Sequence, residues 1–271
     1  MKPGKVLIRP VLAALLILLL PLQGWSESAG HDKPSVELFL PSDNALDDVE
    51  QAMNLALDSG RLLLVVMGAN WCHDSRALAS RIFQEPLKSV IQDHYETVFV
   101  DVGYLDKGKE VVSAIGPPVY YATPTVLIID PASSRLLNSD NRHQWGSADT
   151  ISMKDSVAYF SLMAEAAPGT LPEETVSNTQ LKELLEEIDQ FEQAQAERLY
   201  AAYAVIGPML QAYKQGNAPP EFDAYWNEVR MFRMSVPGDV DRLRLEAYRR
   251  TAAEEQDIQL QFPQYAAFSW D

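Results

Sequence analysis

Apolar residues along this chain come in two patterns, and the change from one to the other divides it. In the first part they form short unbroken blocks. Residues 62–67 are continuous and apolar, the mark of a strand buried on both faces. Residues 97–102 read as another buried strand, and residues 126–130 as a third. Residues 36–40 read as a short edge strand, broken by Pro41, Ser42 and Asp43. Between the blocks, apolar residues fall at helical spacing. Leu46, Val49, Met53 and residues 55–57 predict an amphipathic helix that stops at Ser59 and Gly60. Residues 75–83 predict a helix that breaks at Gln84, Glu85 and Pro86. A second short helix follows on Leu87, Val90 and Ile91, with the proline at its start. Further on come a short helix over 109–115, a turn at 131–134, a returning strand at 135–138 and a hairpin between the last two strands. A polar loop over 138–150 holds His143 and Trp145, and residues 156–167 are helical. The order β-α-β-α-β-α-β-β-α predicts an α/β domain over residues 35–168. Parallel crossovers, which need helices between strands, combine there with a closing antiparallel hairpin.

Residues 168–172 (Pro-Gly-Thr-Leu-Pro) punctuate the chain, and no strand pattern follows. Leu181, Leu184, Leu185, Ile188, Phe191, Leu199, Tyr203, Ile206 and Leu210 trace one face of a long helix, with a kink expected at Gly207-Pro208. Two more helices are predicted over 222–234 and 239–255, separated by Pro237-Gly238. Residues 170–271 thus read as an all-helical C-terminal extension. Its aromatic residues, Phe191, Tyr200, Tyr203, Tyr213, Tyr225, Trp226 and Phe232, are assigned to packing.

The N-terminus changes the setting. Lys2, Lys5 and Arg9 precede an apolar run over 11–20 that Pro21 ends, with small residues at Gly24, Ser26 and Ser28. This is the pattern of a signal peptide over residues 1–28, cleaved after Ser26 or Ser28, and the run is too short to span a bilayer comfortably. The reading is an exported protein in a bacterial periplasm, with no membrane attachment after cleavage. The formal net charge of −16 argues against nucleic acid and against an anionic membrane surface. One cysteine in 271 residues excludes an internal disulfide. The four histidines, His31, His73, His94 and His143, make no metal-binding spacing, so no metal and no cofactor are assigned.

The chemistry concentrates where the strand at 62–67 gives way to the helix at 75–83, in Gly68-Ala69-Asn70-Trp71-Cys72-His73-Asp74-Ser75. A sulfur at the mouth of a helix has its thiolate stabilised by unpaired N–H groups and the positive end of the helix dipole. Together with Ala122-Thr123-Pro124-Thr125 before the strand at 126–130, these residues resemble the thioredoxin superfamily. The split helix at 83–86 is closest to its exported branch. The resemblance covers residues 35–168 and implies a thioredoxin fold, a central mixed sheet flanked by helices.

It also implies roles. Trp71 flanks the site, Cys72 is the nucleophile, and Pro124 is the cis proline beside the sulfur. Thr123 before it is expected to be open to strand-like pairing with a partner peptide. Two positions depart from the family. Ser75 replaces the resolving cysteine, making a monothiol CxxS motif, and Val66 stands where a buried acid is found. Exchange through Cys72 therefore ends in a mixed disulfide with a client protein or a low-molecular-weight thiol, released by an outside thiol. Ser75 is expected to donate a hydrogen bond to the thiolate and His73, when protonated, to stabilise it, partly offset by Asp74. The plainer reading makes His73 and Asp74 solvent-facing loop residues, with Asp74 a helix cap. The alternative function is a non-catalytic binding module whose partner sits on the helical extension or on Thr123 and Pro124. A further possibility is a Cys72–Cys72 link between two copies.

Overall fold

The computed structural model describes residues 37–139, 141–165 and 178–271. The leader-like residues 1–28, Val36 and the boundary at 168–172 lie outside the described residues. Four strands form one mixed sheet: β1 (Leu62–Gly68), β2 (Tyr95–Asp101), β3 (Thr125–Asp130) and β4 (Arg135–Leu136), in the order β2-β1-β3-β4. β2 runs parallel to β1, with Leu62 opposite Tyr95 and Gly68 opposite Asp101; β3 is antiparallel to β1 and β4 to β3.

The unbroken apolar composition of β1 follows from cover on both faces. Leu62, Leu64 and Val66 point into one core with Val126 and Ile128 of β3. That core is closed by α2 (His73–Ile82), α3 (Leu87–His94) and α5 (Met153–Glu165), through Leu78, Ile82, Leu87, Ile91 and Phe160. Leu63, Val65 and Met67 point the other way, with Leu127 and Ile129. There α1 (Ala45–Ser59), α4 (Lys109–Ile115), α6 (Thr179–Lys214) and α7 (Phe222–Ala252) cover them. The C-terminal helices therefore share a core with the sheet. Among the described residues no helix is long and apolar enough to cross a membrane.

Several elements depart from the sequence reading. Residues 37–40 form no strand. The Asn70 side chain instead imitates one rung of a ladder: its Nδ2 donates to the Phe39 carbonyl at 2.8 Å, and its Oδ1 accepts the Phe39 N–H at 3.3 Å. β2 is half-buried, with Tyr95 and Val100 its only fully buried residues, because it lies at a sheet edge. The loop at 138–150 is not all polar surface. It contains a 3-10 segment, Gln144–Thr150, that buries Trp145 and Ala148. Trp145 stacks on Phe160 at 5.1 Å, so its hydrophobic area decides the placement over its polar neighbours.

α6 runs on through Pro208, and α7 is one helix through Pro237 rather than two. A proline inside a helix loses one hydrogen bond, but the apolar stripe does not break there. Val229, Phe232, Val236, Val240, Leu243 and Ala247 keep helical spacing on both sides of Pro237 and are buried. α6 also comes very close to the sheet's own loops. A Cβ at Gly207 would lie 2.5 Å from the Tyr104 carbonyl oxygen, so only glycine allows this crossing. Most of the aromatic residues pack as expected: Tyr203 stacks on Tyr120 at 5.5 Å, and Phe191 meets Phe262 at 5.2 Å.

Candidate active site

β1 delivers the chain to the site at Gly68. A Cβ there would lie 2.6 Å from Ser75 Oγ and 2.7 Å from the Phe39 ring, so glycine lets both close over the strand end. The chain then turns. The Cys72 N–H donates to the Ala69 carbonyl at 3.1 Å, and the Trp71 Nε1–H donates to the Gly103 carbonyl at 2.7 Å, with its ring stacked on Tyr104. Cys72 is the N-cap residue of α2, and its side chain makes no capping bond. The sulfur is thus free of the helix backbone while facing the positive end of its dipole.

Cys72 is only 8% exposed. Its Sγ donates to the Thr123 carbonyl at 3.1 Å, across a sequence separation of 51. Thr123 is itself 5% exposed, and its peptide bond to Pro124 is cis. Thr123 is therefore not open for strand-like pairing, because its carbonyl is turned inward to the sulfur. Ser75 is fully buried and its Oγ accepts the Ala69 N–H at 3.3 Å, so the hydroxyl braces the turn instead of pointing at the sulfur. Val66 is buried in the apolar core beneath.

His73 and Asp74 both belong to α2, and they differ sharply. His73 is exposed, whereas the Asp74 side chain is 9% exposed and Asp74 is not the cap. The Asp74 carboxylate accepts the Asp149 N–H at 3.0 Å, and His73 Nε2 lies 3.1 Å from Asp74 and 3.4 Å from Asp149. Burial raises the Asp74 carboxyl above its usual value, and the hydrogen bond from Asp74 lowers that of Asp149. The ligand atoms of His73, Asp74 and Asp149 all lie within 4.8 Å of one another. Residue spacing gave no sign of this cluster, because Asp149 comes from the 3-10 segment, a sequence separation of 75 from Asp74.

The sulfur opens onto a groove of about 720 Å³ whose near wall is Trp71, Cys72, His73, Tyr121 and Thr123. The far wall belongs to the helical extension: Tyr213 and Lys214 of α6, then Phe222, Trp226, Arg230 and Met234 of α7. Residues of the assumed packing stripe are therefore also groove lining. Tyr213 stacks on Phe222 at 4.8 Å, and Phe222 lies tilted against Trp226 at 5.8 Å. His143 lines the groove as well, and burial lowers its pKa, favouring the neutral imidazole.

The two walls are tied together by polar contacts. Arg233 Nε donates to the Tyr121 carbonyl at 2.6 Å, and the Tyr203 hydroxyl donates to the Tyr120 carbonyl at 3.0 Å. Glu192 of α6, buried, takes Arg142 at 2.9 Å, Arg244 of α7 at 3.5 Å and the Tyr121 hydroxyl at 3.3 Å. Except for Tyr203, which was assigned to packing, these residues escaped the sequence reading because each acts across elements far apart in the chain.

Residues 44–131 match a family model described as thioredoxin-like. A crystal structure of a disulphide isomerase from Xylella fastidiosa Temecula1 is similar at 27% identity and a TM-score of 0.42, covering 46% of this chain and 98% of that one. Comparison with curated proteins gives no significant match. The family match supports a thiol–disulfide redox role in general.

Proposed function

We propose, for a chain that carries a thioredoxin-like domain at residues 44–131, that Cys72 is a single attacking thiol in disulfide exchange. The supporting observation is the position of its Sγ: at the N-cap of α2, unbonded to the helix, 3.1 Å from the Thr123 carbonyl and open to the groove. The thiol proton leaves to solvent and the sulfur attacks one sulfur of a disulfide. A bond forms between Cys72 and that sulfur, and the other half departs as a thiolate. Ser75 offers no second thiol, so an external thiolate attacks the bound half, carries it off as a new disulfide and restores the Cys72 thiolate. Sulfur redox balance is kept at each step, and no further oxidant or reductant is needed.

Trp71 and Thr123 act as walls that fix the sulfur, and His73 lies at the rim with Asp74 and Asp149. We place the reaction outside the cytoplasm, on the strength of the leader-like residues 1–28. A cell-fractionation blot of the full chain tests that placement.

The test of the exchange is the mass of the native protein after incubation with a disulfide. Wild type gains one mixed-disulfide half, and reduction removes it; Cys72→Ser gains none. A native wild-type protein that neither forms the adduct nor reacts with a neutral thiol reagent would sink the reading. It would leave the second one, a non-catalytic binding module, which the burial of Cys72 and the serine at position 75 favour. Dimers on a non-reducing gel, absent from Cys72→Ser, would indicate instead a Cys72 link between two copies.

A further inference from the structure

The groove in front of Cys72 gathers three cations in a chain of net charge −16. The chain carries 38 acidic and 22 basic residues. Among the described residues Arg61, Arg142, Lys182, Arg242, Arg244 and Arg250 pair with carboxylates, while other cations stand apart from one. Lys214, Arg230 and Arg233 line the groove together, and among the described residues none of the three is ion-paired. Lys214 lies over the Trp71 ring at 5.9 Å and the Tyr213 ring at 5.3 Å, which sets its ammonium beside the residue preceding Cys72. Among the described residues Arg230 bonds to Asn227 and Met234 of its own helix, and its guanidinium keeps capacity for an outside acceptor. The carboxylates on the groove are Asp74, which lies 3.1 Å from His73, and Asp223.

The backbone near the sulfur limits the shape of the visitor. A polypeptide pairing with the segment before Pro124 needs free carbonyls there. Those of Tyr120 and Tyr121 already accept one bond each from Tyr203 and Arg233, and that of Thr123 accepts from the Cys72 thiol until its proton leaves. The groove volume of about 720 Å³ falls within the range of small-molecule sites, roughly 300–1,000 Å³.

Resting on the exchange reading above, we propose that the groove selects a low-molecular-weight disulfide whose thiol halves carry carboxylates. One carboxylate is held by Lys214 and Arg230 while the sulfur meets Cys72. The attack forms the bond between Cys72 and one half, and the other half leaves as a carboxylate-bearing thiolate that takes its proton from water.

The experiment uses the native full chain and three disulfides: glutathione disulfide, with two carboxylates and one ammonium on each half; neutral bis(2-hydroxyethyl) disulfide; and cationic cystamine. The rate of each adduct on Cys72 is read by intact mass at low salt. Steering by charges at a groove mouth is worth roughly tenfold or more in rate. Glutathione disulfide should therefore react about tenfold faster than the neutral compound and cystamine slowest. The preference should shrink in high salt, which screens exposed charge. In Lys214→Gln/Arg230→Gln the anionic-to-neutral rate ratio should fall toward one. If that variant folds poorly, the salt titration on wild type decides the same question. Equal rates for all three disulfides at low salt overturn the carboxylate preference and leave the exchange reading in place. No adduct with any of them overturns both.

Discussion

The sheet and the long C-terminal helices meet in one core, yet they spend their side chains differently. β1 is buried along its whole length, because helices close both of its faces. It has no side chain left over for a ligand and contributes only position, carrying the chain through Gly68 to the turn that holds Cys72. α6 and α7 bury one stripe each, which leaves their remaining faces free. That freedom places Tyr213, Lys214, Trp226 and Arg230 opposite the sulfur. The sheet half fixes where chemistry can occur, and the helical half shapes what can reach it.

If both halves are one cooperative unit, cavities in either should cost alike. Leu64→Ala in the sheet and Leu199→Ala in α6 each remove a fully buried leucine, and each should lower unfolding stability by about 2–5 kcal/mol in a single denaturant transition. Two separate transitions in Leu199→Ala would divide the halves. The ionic joint between them is the next strongest lever. Glu192→Ala leaves Arg142 and Arg244 without their shared buried partner and should cost about 3 kcal/mol, with increased protease cleavage in α6. Gly207→Ala drives a methyl into the Tyr104 carbonyl oxygen and should cost about 1–3 kcal/mol, read as a shifted denaturation midpoint. Asn70→Ala removes both bonds to Phe39 and should cost about 1 kcal/mol.

The smallest effect is one of pH. Burial raises the Asp74 carboxyl above 3.8, so the folded state holds a proton more tightly than the unfolded chain. The resulting stability is present below pH 3.8 and is lost as pH rises through the raised value. Asp149, whose value is lowered, acts in the opposite sense below that range. Asp74→Asn keeps an acceptor for the Asp149 N–H without the titration. Its stability should therefore fall less than that of wild type over the same rise in pH, measured by denaturant midpoints at several pH values. Superimposable profiles would remove Asp74 from the account.

Much of this was legible in the residues. Unbroken apolar runs mark β1 and β3 because a strand covered on both faces has no polar side. Periodicity marks α1, and glycine with its left-handed conformation closes that helix at Gly60. Position 72 at the mouth of a helix, and the threonine–proline pair before β3, could likewise be read directly. The edge strand at 36–40 was misread because a short apolar run says nothing about who supplies the hydrogen bonds, and here Asn70 supplies two of them to Phe39. The break at Pro237 was misread because one lost hydrogen bond is outweighed by a stripe that packs on both sides.

By itself the sequence determined the order of elements from α1 to β4, the thioredoxin-like domain, and a cysteine without a second thiol, since these depend on local pattern and composition. Only the tertiary structure decided that Cys72 is covered, that its sulfur meets Thr123, that Asp149 joins Asp74, and that α6 and α7 wall the groove with Lys214, Arg230 and Arg233. Those facts depend on contacts between segments far apart in the chain. Long-range packing, where burial and charge compete at each contact, leaves no periodic trace in the residues.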